Sequence, residues 1–159
     1  MYSNSNSVIS CIPSGTAWDI ILKTINDNSQ KDIFDDVSNW SNSLNTQINI
    51  TSAKAKYFIP NNNVIWADIS GHTTKGIAQV LTTGASEDNK KYNLYEISGN
   101  LWEVTSDNNI DLSGGVKLYR GTCAWDSVGP TYLPDYRGYW GFKNAPHIVY
   151  GFRVCLFLK

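Results

Sequence analysis

Residues 119–157 constrain this chain more than any other stretch. They open with Arg120-Gly121-Thr122-Cys123-Ala124-Trp125 and close with Gly151-Phe152-Arg153-Val154. Between these anchors, residues 126–142 are rich in aromatics, Gly and Pro, carry few charges and repeat at neither 2 nor 3.6 residues. A strand or helix needs one of those periods to bury a face, so regular structure does not run far here. The stretch reads as loops that carry aromatic side chains to a surface, held at both ends by something rigid. Nine of the chain's twenty aromatic residues fall within 119–152, whereas sixteen of its seventeen asparagines precede residue 118. The segment therefore differs in kind from what comes before it.

The remaining totals narrow the possibilities. A chain of 159 residues fits one domain with one core. A formal net charge of −1 gives no electrostatic case for nucleic acid or an acidic membrane surface. No apolar run approaches a membrane span, and residues 1–10 have neither the basic start nor the apolar block of a secretory signal. They read as an N-terminal extension to a single domain over 11–159. Cys11, Cys123 and Cys155 are too few and too scattered for a disulfide framework or a zinc site. They read as buried small hydrophobes, or as one disulfide with a spare thiol.

Ser14 follows Pro13 as a natural N-cap, and Trp18, Ile21, Leu22 and Ile25 then share one helical face, with Asn26-Asp27-Asn28 as the stop. A shorter second helix is predicted through Ile33, Phe34 and Val37 towards Trp40. Residues 41–63 are polar and Asn/Ser-rich, with a short strand over 56–60. Residues 64–67 form a short apolar piece, and residues 71–90 read as loop. Gly99-Asn100 is a turn signal, with Gly99 supplying a backbone angle other residues avoid. Strands are predicted over 101–105, 116–120 and 153–158. Trp18, Trp102 and Trp125 are expected in the core, and Arg120 and Arg153 are expected to pin loops through hydrogen bonds.

Four motifs in order then resemble a known family. They are Cys11-Ile12-Pro13-Ser14 through Ala17-Trp18-Asp19, Leu94-Tyr95-Glu96-Ile97-Ser98-Gly99-Asn100-Leu101-Trp102-Glu103, Tyr119-Arg120-Gly121 with Trp125, and Gly151-Phe152-Arg153-Val154. This succession resembles the formylglycine-generating-enzyme (sulfatase-modifying factor) domain. The resemblance implies an α+β, C-type-lectin-like fold with two helices packed on twisted antiparallel sheets and much irregular loop. The chain lacks the strand and helix that usually precede the first motif, as a shortened version or a fragment would.

The resemblance also sets a demand for catalysis. Enzymes of the family carry a cysteine pair whose positions fall here at about Ser127 and Tyr132, and Cys123 has no partner at that spacing. His72 and His147 stand apart from any metal-ligand set and read as surface or hydrogen-bonded residues. Nothing in the chain pairs a nucleophile with a base. The expectation is a protein that is not an enzyme, with a formylglycine-generating-type oxidoreductase as the weakest alternative.

A branch of this family looks like the variable proteins of diversity-generating retroelements, in phages, bacteria and archaeal viruses. There a reverse transcriptase rewrites a C-terminal stretch by altering adenines, which removes Asn codons. The scarcity of Asn in residues 120–155, and the Tyr, Ser, Gly and Asp they carry, agree with that branch. The implied ligand-binding residues are Asp126, Ser127, Val128, Tyr132, Asp135, Tyr136, Tyr139, Trp140, Phe142, Asn144, His147 and Tyr150. Among these, Tyr136 and Tyr139 are the rings expected to be exposed, ahead of Phe142 and Tyr150. The partner would be a protein or glycan on a target cell, met from a virion or cell surface without membrane insertion. The alternative is a lectin-like module with a fixed glycan or protein ligand. No cofactor is required, although family resemblance implies a structural calcium held by Glu96, Gly99, Leu101 and Glu103.

Overall fold

The computed structural model describes residues 8–29, 37, 39–59, 66–69, 71–74, 78–109, 116–126, 133–140 and 148–158. It is a mixed α+β structure made mostly of short sheets. In chain order it contains β1 (Val8–Cys11), α1 (Gly15–Asp27), β2 (Lys56–Phe58), β3 (Ala67–Asp68), β4 (Val80–Leu81), β5 (Lys90–Lys91) and β6 (Leu94–Tyr95). These are followed by β7 (Trp102–Asn109), β8 (Val116–Arg120), β9 (Arg137–Trp140), β10 (Tyr150–Gly151) and β11 (Cys155–Leu158).

The first helix forms as its pattern predicts. The Ser14 hydroxyl accepts the Ala17 N–H at 3.1 Å, so one of the unpaired donors of the first turn is satisfied. Asp107 takes a second, accepting the Gly15 N–H at 2.7 Å. Trp18, Leu22 and Ile25 are buried, and they pack with Val37, Trp40 and Ile97 into one core cluster. The segment read as a second helix lies mostly outside the described residues. At its end the N–H groups of Trp40 and Ser41 both bond the Val37 carbonyl, at 3.2 and 2.9 Å.

The central sheet has strand order β10-β7-β8-β9, with β10 parallel to β7 and the other pairs antiparallel. The β7–β8 register shifts between Val104 and Asn108. Ser106, within that irregularity, donates its N–H to Pro13 instead, at 2.9 Å. The neighbouring Asp107 is thereby turned to cap α1, so the bulge ties sheet to helix. A separate antiparallel ribbon joins β1 to β11.

Several expectations change. Residues 71–90 are not merely loop, because β4 enters a sheet of order β3-β2-β4 and Val80, Leu81 and Ala85 are buried. The polar residues 41–63 contribute Ile48, Ile50 and Ala55 to a second core cluster with Ile69 and Leu81. Strand β9 appears where only loop was expected, paired residue by residue with β8. Trp125 is 38% exposed and not a core residue, since the turn at 124–126 carries it outward. Cys11 is exposed and Cys155 half-buried, so only Cys123 fits the reading of a buried small hydrophobe.

Candidate ligand-binding surface

Strand register decides which side chains of the central sheet meet. Directly opposed residues share a face, and the face alternates along each strand. Gly138 opposes Tyr119, Tyr119 opposes Val104, and Tyr150 opposes Trp102. Trp102, Tyr119, Gly138 and Tyr150 thus share one face, and Tyr136 precedes Gly138 by two residues. Tyr139, opposite Leu118, points from the other face and is 65% exposed.

The rings confirm this placement. Trp102 stacks on Tyr119 at 5.0 Å and lies 5.2 Å from Tyr150. Tyr119 meets Tyr150 edge-on at 5.2 Å and Tyr136 at 6.3 Å. These separations fall within the range of favourable aromatic pairs. Tyr119 is buried, whereas Trp102, Tyr136 and Tyr150 are half-buried. Burial raises the Tyr119 phenol's pKa, and the nearby Tyr150 and Tyr136 hydroxyls add to the effect. The Tyr150 phenol is pushed up to about 12, chiefly by burial, so both rings stay neutral donors and acceptors near neutral pH.

Fixed structure surrounds this aromatic face. Asp126 Oδ2 accepts both the Trp102 indole N–H and the Cys123 backbone N–H, each at 2.8 Å. Expected as a contact residue, Asp126 is instead engaged in holding the edge of the aromatic cluster. Burial raises its carboxyl pKa, and those two hydrogen bonds oppose the rise. Trp18 donates its indole N–H to the Pro134 carbonyl at 3.2 Å, and Gly121, at φ +79°, donates its N–H to Tyr136 at 3.2 Å. Asp19 pairs with Arg120 at 3.3 Å and with Arg137 at 2.8 Å, clamping β8 and β9 to α1.

A buried hydroxyl network lies behind the first anchor. Ser41, Ser43, Ser98 and Thr122 are almost wholly enclosed. Ser41 Oγ lies 2.8 Å from Ser43 Oγ and accepts from Ser98 Oγ at 3.0 Å. Thr122 Oγ1 accepts the Gly99 N–H at 2.6 Å. Gly99 holds φ +84°, and a Cβ there would overlap the Asn42 backbone. Glycine is therefore required for space as well as angle.

At the second anchor Arg153 donates through Nε to Glu103 Oε2 at 2.6 Å, and through Nη2 to Glu103 Oε1. The same Nη2 reaches the Tyr95 carbonyl at 3.1 Å and the Glu96 carbonyl at 3.4 Å. Glu96 Oε1 accepts the Gly84 N–H at 3.0 Å. Beside them a recess of about 340 Å³ is lined by Leu94, Glu96, Glu103, Phe152 and Arg153, among others. Of the residues expected to hold calcium, Glu103 has both carboxylate oxygens on the Arg153 guanidinium. Among the described residues no three His, Cys, Asp or Glu side chains cluster together. Leu101 packs against the third core cluster of Phe58, Val80 and Ala124.

Of the other expected contact residues, Asp135 is exposed and lines a groove with Asp19, Leu22, Asn26 and Arg137. Trp140 opposes Lys117 in the sheet, and its side chain lies outside the described residues. Ser127, Val128, Tyr132, Phe142, Asn144 and His147 lie outside them too. His72 is exposed, and its backbone bonds Ile50 and Ile69. Burial pushes the Cys123 thiol up to about 12, which leaves it protonated and a poor nucleophile. Two residues that organise the site escaped the sequence reading: Tyr119 as the centre of the rings, and Asp19 as the clamp. Their signals were present in Tyr119-Arg120-Gly121 and Ala17-Trp18-Asp19, but neither motif says which side chains meet.

No helix among the described residues is long and apolar enough to cross a membrane. No protein-family model matches the chain, and no curated protein sequence matches it either. A crystal structure of CarF is similar in fold, with a TM-score of 0.52 at 19% identity over 94% of this chain and 47% of CarF. The chain thus spans about half the length of CarF, and at that identity the likeness concerns fold alone.

Proposed function

We propose that the chain is a non-catalytic ligand-binding protein with a C-type-lectin-like fold, of the variable-protein type made by diversity-generating retroelements. The observation that carries this reading is the convergence of Tyr136 and Tyr150 on Tyr119, beside Trp102. Tyr136 and Tyr150 lie within the stretch expected to vary, whereas Trp102 and Tyr119 lie outside it. Changeable rings thus surround an invariant floor. Tyrosine suits such a surface because it brings a large, rigid contact area and a hydroxyl at low entropy cost. The lack of an activated nucleophile at Cys123 supports binding over catalysis. The partner class is a protein or glycan on a target surface, met through aromatic rings and hydroxyls.

Sequencing the surrounding locus tests the reading. A near-copy of codons 120–155 is expected beside a reverse-transcriptase gene, differing almost only at adenines. Its differences should fall at positions such as 127, 128, 132, 136 and 150, and spare Arg120, Cys123, Gly138 and Arg153. A locus with neither feature would refute the variable protein in favour of a lectin-like module with one fixed ligand.

A further inference from the structure

The β1–β11 ribbon sets Cys11 directly opposite Cys155. Both thiols are free in the structure, Cys11 exposed and Cys155 half-buried. Opposed residues of an antiparallel pair lie about 4.5–5.5 Å apart at Cα and project to the same side. That separation falls within the roughly 4.4–6.8 Å window a disulfide spans. Cys123 is buried elsewhere, its backbone N–H bonded to Asp126.

We propose that Cys11 and Cys155 form an oxidisable pair whose disulfide clasps the first strand to the last. Cys11 leads through Pro13 into the α1 cap, and Cys155 follows Arg153, which anchors the end of the aromatic segment. The clasp therefore fixes the C-terminal anchor to the helix entry. With glutathione disulfide as oxidant, the accessible Cys11 thiolate attacks one of its sulfurs and releases a glutathione thiolate. Cys155 then loses its proton to solvent, attacks Cys11 Sγ and releases the second glutathione. Two protein thiols are oxidised, and one glutathione disulfide becomes two glutathione thiols.

The closed loop covers most of the chain, so the constraint on the unfolded state is near the upper end of what one disulfide supplies. Oxidised protein should melt roughly 5–15 °C above the reduced form. The test incubates dilute full-length chain with glutathione disulfide, alkylates the free thiols and maps the peptides. The expected result is a Cys11–Cys155 linked peptide within one chain, with Cys123 unlinked. The melting difference between redox states should be present in the wild type and absent in Cys11→Ser. The proposal is overturned by alkylation of both thiols after oxidation, by linkage to Cys123, by linkage only between chains, or by a link that leaves melting unchanged.

Discussion

Replacing Gly138 with Ala probes the aromatic face through its tightest contact. Gly138 sits opposite Tyr119, and a Cβ added there would overlap the Tyr119 ring more closely than any real Cβ contact allows. No positive φ is involved at this position, so the effect is one of space alone. The ring has to move, and its contacts with Trp102 at 5.0 Å, Tyr150 at 5.2 Å and Tyr136 at 6.3 Å are disturbed together. Overpacking costs about 1–3 kcal/mol, and each lost aromatic pair about 0.5–1.5 kcal/mol. A net loss of roughly 2–5 kcal/mol is expected, or about 5–15 °C in melting temperature. Urea unfolding measures it, in the wild type and again in a Tyr119→Ala background. With the ring gone, Gly138→Ala should cost less than about 1 kcal/mol, a strong non-additivity between neighbours. Equal costs in both backgrounds would refute the placement of Tyr119 over Gly138.

Removing Arg153 strands Glu103, whose side chain is only 12% exposed. Arg153→Ala should therefore destabilise by about 3–5 kcal/mol, while Arg153→Met with Glu103→Gln recovers much of the loss in the same urea assay. Burial raises the carboxyl pKa values of Glu96 and Asp126 from their ordinary 4.5 and 3.8. Each holds its proton to higher pH folded than unfolded, so its contribution is complete below those values and is lost as pH rises through the folded ones. The urea midpoint should accordingly fall as pH is raised above 4.5, with a shallower fall in Glu96→Gln.

Local pattern revealed the parts of the fold whose cause is local. The α1 cap and buried face follow from Ser14 and the spacing of Trp18, Leu22 and Ile25, and the sharp angle at Gly99 follows from a glycine turn. Strand β9 was hidden because Arg137-Gly138-Tyr139-Trp140 has no alternation of its own, and its pairing is imposed by β8 and by the space Tyr119 requires. The Ser/Asn-rich middle was unreadable for a related reason. Ser41 and Ser43 are buried as hydrogen-bonding partners of the distant Ser98 and Cys123, with Thr46 bonded back to both, and polarity alone gives no sign of that. For the candidate site, the aromatic content pointed to the segment as a whole, and only strand register separates Tyr136 and Tyr150 from Tyr139 on the opposite face. Asp126 looked like a contact residue until its bonds to Trp102 and Cys123 made it part of the frame.

The central claim is that a rigid frame carries side chains free to change. It is tested most directly by randomising Ser127, Val128, Tyr132, Asp135, Tyr136, Tyr139, Phe142, Asn144, His147 and Tyr150 together. Arg120, Thr122, Cys123, Asp126, Gly138 and Arg153 are kept, and the melting temperatures of individual clones are measured. Most clones should still fold cooperatively, with the largest losses in melting temperature tracking replacement of the Tyr136 and Tyr150 rings, at about 0.5–1.5 kcal/mol per lost ring pair. If most clones fail to fold, these side chains are core, and the account of a display surface is contradicted.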